Sequence, residues 1–383
     1  MAFTIPQNCT GCGACAAGCP VQCIEMQVDR EGFRYPQLDT SRCISCQKCE
    51  NVCPVIRKSP PQTQPQAYAV KNRDDAVRIR SSSGGVFPAL AEFMLANGGA
   101  VCGAVYDEDF SVVHQIAEDA AGTQKMQGAK YAQSRTEHLF AEIRRILEAG
   151  QWLLFVGTPC QVAGVKAFLG KDYEKLILVD MICHGVPSPK AWEKYLRYRR
   201  GKDAGDAAIS AINQRDKCSG WSNYGYSVRI DYQNGKTYCA QQSKDVYLQG
   251  FLNNLYLRPS CAQCPFKGNV RCSDLTLGDY WGVWDQYPQA DDNKGVSLVL
   301  VNTQKGAAYW GRIGEALDAF PVDLQAALAQ NPSAVNSSAP HEKRDLFFER
   351  MDTCEFDVLV SGLLFGAPKK QNLLRRILRK IRK

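Results

Sequence analysis

Eight of the eighteen cysteines in this 383-residue chain fall into two copies of one spacing. Cys9, Cys12, Cys15 and Cys19 recur as Cys43, Cys46, Cys49 and Cys53, each displaced by 34 residues. A proline follows the fourth cysteine of each run, Pro20 and Pro54, and stops the chain from continuing as helix. Zinc sites close with four ligands, usually from two C-x2-C pairs, and leave the third and fourth cysteine of each run without a purpose. No C-x-x-C-His occurs, which removes attachment of a c-type haem. No charged-then-apolar leader precedes Cys9, so the expectation is a reducing, cytoplasmic compartment. In such a compartment clustered thiols bind metal or do redox work rather than form disulfides.

The spacing C-x2-C-x2-C-x3-C-P is that of bacterial two-cluster ferredoxins, in which the fourth cysteine of each run ligates the other cluster. One 4Fe–4S cluster is therefore expected on Cys9, Cys12, Cys15 and Cys53. The other is expected on Cys43, Cys46, Cys49 and Cys19. Cys23 lies outside the pattern and reads as a small buried residue. Residues 1–58 form this domain, and 59–66, rich in Pro and Gln, read as a linker.

From residue 67 to about 330 apolar runs of strand length alternate with helical patterns, which predicts a larger mixed α/β domain and an α+β chain overall. Helices are expected at 86–97, 137–149, 161–169 and 189–200, and strands at 100–106, 112–117, 152–156 and 176–182. A hairpin is expected at 227–240 around Asn234–Gly235. Residues 331–383 read as a C-terminal extension with little pattern before its basic end.

Four segments of the larger domain carry chemistry. Ser81 to Phe87, SSSGGVF, opens a helix whose N–H groups can face an anion. Gly157-Thr158-Pro159-Cys160-Gln161 turns a buried strand into a helix, where a thiol is a good ligand or nucleophile. Cys183-His184-Gly185-Val186-Pro187 follows another buried strand. Cys261-Ala262-Gln263-Cys264 is a C-x-x-C pair, with Gly278-Asp279-Tyr280-Trp281-Gly282 shortly after. His184 is the best proton-donor candidate among four histidines, and a structural role is its alternative. Asp180 and Asp279 are weaker candidates. Cys102, Cys218, Cys239 and Cys354 read as small core or surface residues.

Taken jointly, SSSGGVF, GAKY (128–131), GTPCQVAGVK, ICHGVPSP, CAQCPF and LTLGDYWG resemble the family formed by the beta subunits of coenzyme F420 hydrogenases and dehydrogenases. The resemblance runs from about Tyr68 to Trp310. It implies one bound FAD and a third 4Fe–4S cluster on Cys160, Cys183, Cys261 and Cys264, with Cys272 a rival ligand. It points the flavin to Ser82, Ser83, Gly84, Gly85, Gly128, Lys130 and Tyr131. The implied activity is an FAD- and iron–sulfur-dependent oxidoreductase. It would exchange electrons between a redox partner protein, a ferredoxin or another oxidoreductase polypeptide, and a small-molecule hydride donor or acceptor. That molecule would be reduced F420 or an organic biosynthetic substrate. The alternative is a non-catalytic electron-transfer subunit or scaffold on a partner enzyme. No G-x-G-x-x-G with a downstream acid is present, which disfavours NAD(P)H.

Charge adds one qualification. The net charge of +7 owes everything to residues 369–383, which hold eight Lys or Arg and no acid. The body is near neutral, so no nucleic-acid partner is expected. Leu373, Leu374, Ile377, Leu378 and Ile381 recur at helical spacing in that tail. It reads either as a basic amphipathic contact with the inner membrane surface or as a solvated terminus.

Overall fold

The computed structural model describes residues 4–57, 64–268 and 271–366. In the N-terminal domain the cysteine loops flank two helices of four residues, Ala14–Ala17 and Lys48–Asn51. They sit beside a hairpin of β1 (Ile24–Val28) and β2 (Arg34–Leu38). So few apolar residues cannot bury much area, and Cys15, Cys19, Cys23 and Ile24 are most of the domain's own core.

The larger domain is built on an eight-stranded mixed sheet. Its strands are β3 (Gln66–Asn72), β4 (Ala100–Tyr106), β5 (Val112–Ala117), β6 (Leu153–Gly157), β7 (Leu176–Met181), β11 (Leu275–Asp279), β12 (Ser297–Val301) and β13 (Leu317–Val322). The order is β13-β3-β12-β11-β7-β6-β4-β5. The pairs β4·β6, β6·β7 and β7·β11 are parallel, and the flanking pairs are antiparallel. Side chains alternate across it. Leu153, Phe155, Leu176 and Leu178 pack under the helices Phe140–Glu148 and Pro159–Leu169. Leu154, Ile177 and Val179 pack under Val86–Ala96 and Gln304–Ile313. Both faces are covered, which is why the central strands read as continuous apolar runs.

A second sheet holds β8 (Ile209–Asp216), β9 (Ser227–Tyr232) and β10 (Thr237–Gln241), in the order β10-β9-β8. It packs with the helices Pro189–Arg199 and Val246–Leu252. The helices Arg344–Arg350 and Phe356–Phe365 complete that core through Phe347, Met351, Phe356, Leu359 and Val360. Packing is therefore continuous across residue 330. Phe33 of the N-terminal domain is buried in the same core, and a buried Arg344–Glu31 ion pair (2.5 Å) fastens the two domains together. The expected helix at 86–97 and hairpin at 227–240 are present, and Pro88 sits in the first turn of a helix that begins at Val86. Residue 58, residues 59–63 of the expected linker and the tail 367–383 lie outside the described residues; Gln66 already belongs to β3. No described helix is long and apolar enough to cross a membrane.

Candidate functional site

Three cavities share walls in series. The smallest is lined by Cys9, Cys12, Cys15 and Cys53 with Gly11, Gly13 and Thr10. Positive φ at Gly11 and Gly13 lets the loop curl so that its thiols converge. A second small cavity is lined by Cys160, Cys183, Cys261 and Cys264, again with Thr10. The third is a 460 Å³ cleft, within the range of small-molecule sites, and Cys160, Cys183 and His184 line it too.

The folding that gathers the second set is local at each segment. Cys160 enters the first turn of Pro159–Leu169, whose Thr158 and Gln161 form a capping box with the Thr158 N–H donating to Gln161 Oε1 at 2.9 Å. Cys183 follows the C-terminal end of β7. Cys261 sits in the turn Pro259–Gln263, where its sulfur accepts from Val186 N–H at 3.4 Å. Burial pushes the Cys160 thiol up to about 12, and the neighbouring Cys264 and Cys261 add to the rise. Cys183 and Cys261 are raised by burial as well. Thiolates this crowded need a cationic centre, which is what an iron–sulfur core supplies. Cys272 does not line this cavity; its thiol faces Pro159 O at 4.0 Å.

Of the outer ferredoxin set, Cys43 and Cys49 pack against the small core of Cys15, Cys19, Cys23 and Ile24, and Cys46 is exposed. Cys23 is buried beside them, its sulfur 3.4 Å from that of Cys19.

The cleft opens at the C-terminal ends of β6, β7 and β11, where ligands gather in open α/β sheets. Ser82, Ser83, Gly85, Gly128, Lys130 and Tyr131 line it. Gly84 does not. Its N–H donates to Ser297 Oγ at 2.9 Å, and a Cβ there would collide with the backbone of Val70 and Ser297. The glycine is needed for close approach to the sheet. Ser83 Oγ is also spent, donating to Val296 O at 3.0 Å. Lys130 Nζ donates to the carbonyls of Met126, Gln127 and Gly128 at 3.1–3.2 Å, so its charge closes a helix C-terminus rather than reaching free into the cleft. Burial draws its pKa down to about 7.

His184 is held at both nitrogens. Asn254 Nδ2 donates to Ala339 O at 2.8 Å, which fixes the amide so that its oxygen accepts from His184 Nε2–H at 2.6 Å. Nδ1 is left as the acceptor facing Ser333 Oγ at 3.4 Å. Burial lowers the His184 pKa. Asp180 is fully buried and pairs with Arg271 at 3.8 Å. Asp279 accepts from Arg215 at 2.8 Å and from Trp221 Nε1–H at 3.2 Å.

A family model that describes the C-terminal part of the coenzyme F420 hydrogenase/dehydrogenase beta subunit matches residues 150–321, and a 4Fe-4S dicluster domain matches residues 8–56. Residues 150–321 therefore carry the domain of that beta-subunit family, with a dicluster ferredoxin domain fused ahead of it. The chain is accordingly an iron–sulfur, electron-transferring polypeptide related to an oxidoreductase family. Among curated proteins it is similar to the F polypeptide of the F(420)H(2) dehydrogenase of Methanosarcina mazei, 24% identical over 190 residues. The match covers 46% of this chain and about half, 53%, of that protein. It is also similar to the 7Fe ferredoxin of Hydrogenibacillus schlegelii, 37% identical over 79 residues, covering 19% of this chain and 95% of that one. Among solved structures, a chain of the F420-reducing [NiFe] hydrogenase complex from Methanosarcina barkeri superposes with a TM-score of 0.47 at 16% identity. That match covers 71% of this chain and 90% of that one.

Four residues that carry no motif stand at the site. Arg215, at the end of β8, is buried in the cleft wall over Tyr226 at 3.8 Å, and its Nε lacks a partner. Buried His114 donates from Nε2 to Val156 O at 3.0 Å, while its Nδ1 lacks a partner; burial lowers its pKa to about 4. Arg258 lies between the two small cavities and donates to Cys9 O, Arg34 O and Gln133 Oε1, each at 3.0 Å. Gln133 in turn donates to Thr10 O at 3.0 Å. Only the position of Arg258, three residues before Cys261, offered a sequence signal.

Proposed function

We propose that the chain is an FAD- and iron–sulfur-dependent oxidoreductase exchanging electrons between a redox partner protein, which handles them singly, and a two-electron substrate. The ligand sets are Cys43, Cys46, Cys49 and Cys19 outside, Cys9, Cys12, Cys15 and Cys53 inside, and Cys160, Cys183, Cys261 and Cys264 for a third 4Fe–4S cluster. The functional units are residues 1–58 and 67–330, with 331–383 as an extension. FAD would occupy the cleft, where it supplies the exchange between hydride chemistry and single electrons.

The observation that carries this reading is the sharing of walls. Thr10 lines both small cavities, and Cys160 and Cys183 line both the third-cluster cavity and the cleft. The donors of the cleft suit an anionic, planar ligand. The helix Val86–Ala96 directs its N-terminus there, and Arg215 and Gln214 hold buried, unpartnered N–H groups nearby. Gly85, with φ of 82°, brings the backbone into the cleft wall. Tyr131, Phe251 and Trp281 supply aromatic walls that exclude water. His184 is the proton donor of this reading. Nε2 keeps its hydrogen on Asn254, so Nδ1 gains and loses the proton. The substrate is reduced F420 or an organic molecule of similar hydride chemistry.

Anaerobic reconstitution with iron and flavin quantitation tests it. About twelve irons, as three 4Fe–4S ligand sets require, and about one FAD per chain are expected. Eight irons with no retained flavin would contradict it.

A further inference from the structure

Cys218 and Cys239 are not the ordinary surface residues their sequence suggests. They lie 21 positions apart, yet their sulfurs approach to 2.9 Å. Cys218 follows the end of β8 and Cys239 lies in β10, on either side of β9. The carboxylate of Asp216 joins them, and one ligand atom from each of the three residues lies within 4.8 Å of the others. The local fold holds this arrangement. Asp216 Oδ1 accepts from Cys218 N–H at 2.8 Å, and Oδ2 accepts from Asn213 Nδ2 at 3.2 Å. Arg229, the register partner of Cys239 on β9, is engaged by Asp231 at 3.0 Å. All three residues are at least partly accessible, so an ion can enter without unfolding.

We propose that Asp216, Cys218 and Cys239 form a binding site for zinc, separate from every iron–sulfur ligand set. Two sulfurs and one carboxylate oxygen are a zinc donor set, and three protein ligands leave the fourth tetrahedral position to water. Iron–sulfur cubanes use four protein ligands here, and this site offers three. Zinc has no redox chemistry, so it adds no competing stop for electrons.

The site has a mechanical consequence. It ties the end of β8 to β10 and so braces the segment 217–226 that leads from β8 into β9. Lys217 in that segment donates to the carbonyls of Arg78 (2.5 Å), Ser83 (2.7 Å) and Lys294 (2.5 Å), and Tyr224 and Tyr226 line the cleft. Asn223 and Tyr224 both hold positive φ, 53° and 60°, a conformation costly for a tyrosine. A metal clamp across β9 would keep that strained rim in place.

The test uses the full-length, cluster-loaded protein. It is dialysed anaerobically against Zn²⁺, washed, and assayed for zinc and iron by mass spectrometry, with zinc-edge X-ray absorption. About one zinc per chain is expected, with two sulfur scatterers at about 2.3 Å. The Cys218→Ser/Cys239→Ser variant should lose that zinc and keep its full iron content, which also shows that it has folded. Asp216→Asn should weaken retention. A wild-type protein that retains no zinc, or a double variant that retains as much, would overturn the proposal. So would a 218–239 disulfide, seen as a mass two hydrogens lighter in protein that refuses zinc. Iron content reads the cluster ligand sets independently, so failure here is distinguishable from failure of the proposed function.

Discussion

The two ferredoxin sites share one cysteine spacing and differ in what covers them. At the inner site, buried Thr10 accepts from Gln133, Cys9 O accepts from Arg258, and Cys12 O accepts from Thr136 Oγ1 at 3.3 Å. All three donors belong to the larger domain. At the outer site Cys46 is exposed and Ile44 is 61% exposed; among the described residues, hydrogen bonds of the 43–47 loop stay within the ferredoxin domain. Spacing sets the cluster chemistry, while surroundings set what each cluster can reach. In the proposed reading the outer site meets an external carrier, and the inner one feeds the third cluster.

The comparison breaks most completely beyond the inner site. Replacing Cys261 and Cys264 by Ser should remove about four of twelve irons while both ferredoxin signals survive in electron paramagnetic resonance. Unchanged iron would remove the inner site's destination. Arg258→Gln comes next. Several charge-assisted bonds at about 1.5–3 kcal/mol each, not fully additive, predict a loss of about 4 kcal/mol in denaturant unfolding. The inner cluster's resonance should shift and the outer one's should not; equal shifts in both would deny the asymmetry.

His114 gives the cleft wall an acid sensitivity. Its folded pKa of about 4 lies below the usual value of 6.5, so below pH 6.5 the unfolded chain takes up a proton that the folded chain refuses. Stability is unaffected above pH 6.5, falls between 6.5 and about 4, and levels off below. The shift corresponds to about 3 kcal/mol. His114→Asn should lose less over that window, measured as the difference between the two proteins' unfolding midpoints; parallel curves would remove the histidine's part.

Gly164→Ala is milder. The new Cβ would stand 2.9 Å from Cys12 Cβ, so the inner loop must move slightly, at about 1–2 kcal/mol. Slower electron transfer to the third cluster should accompany it. Ile44→Asp is mildest, within about 0.5 kcal/mol in stability, yet it should slow reduction by an external ferredoxin. Normal reduction would place carrier exchange elsewhere.

Legibility in the sequence followed the distance over which each feature is encoded. The ferredoxin sets are written within eleven-residue runs, Cys9 to Cys19 and Cys43 to Cys53, and the central strands as apolar runs of five or six. The third set is split over Cys160, Cys183 and Cys261–Cys264, so resemblance rather than spacing suggested it, and only the parallel strands bring it together. Arg215 and Arg258 sit in segments with no motif, and they matter because β8 and the 257–264 turn meet the cleft and the cysteine loops. Gly84 failed as a cleft contact because a helix-opening glycine can equally serve close packing on a sheet. The helices at 344–350 and 356–365 were missed because their apolar residues complete a core supplied by distant segments.

The central claim is that electrons must cross the Cys160–Cys183–Cys261–Cys264 site to pass between the ferredoxin domain and the cleft. Stopped-flow absorbance of the flavin-loaded protein mixed with a reduced ferredoxin tests this directly. In the wild type, flavin bleaching should follow cluster reduction. In Cys261→Ser/Cys264→Ser, the two ferredoxin clusters should still be reduced while the flavin stays oxidised. Flavin bleaching at the wild-type rate in that variant would contradict the account.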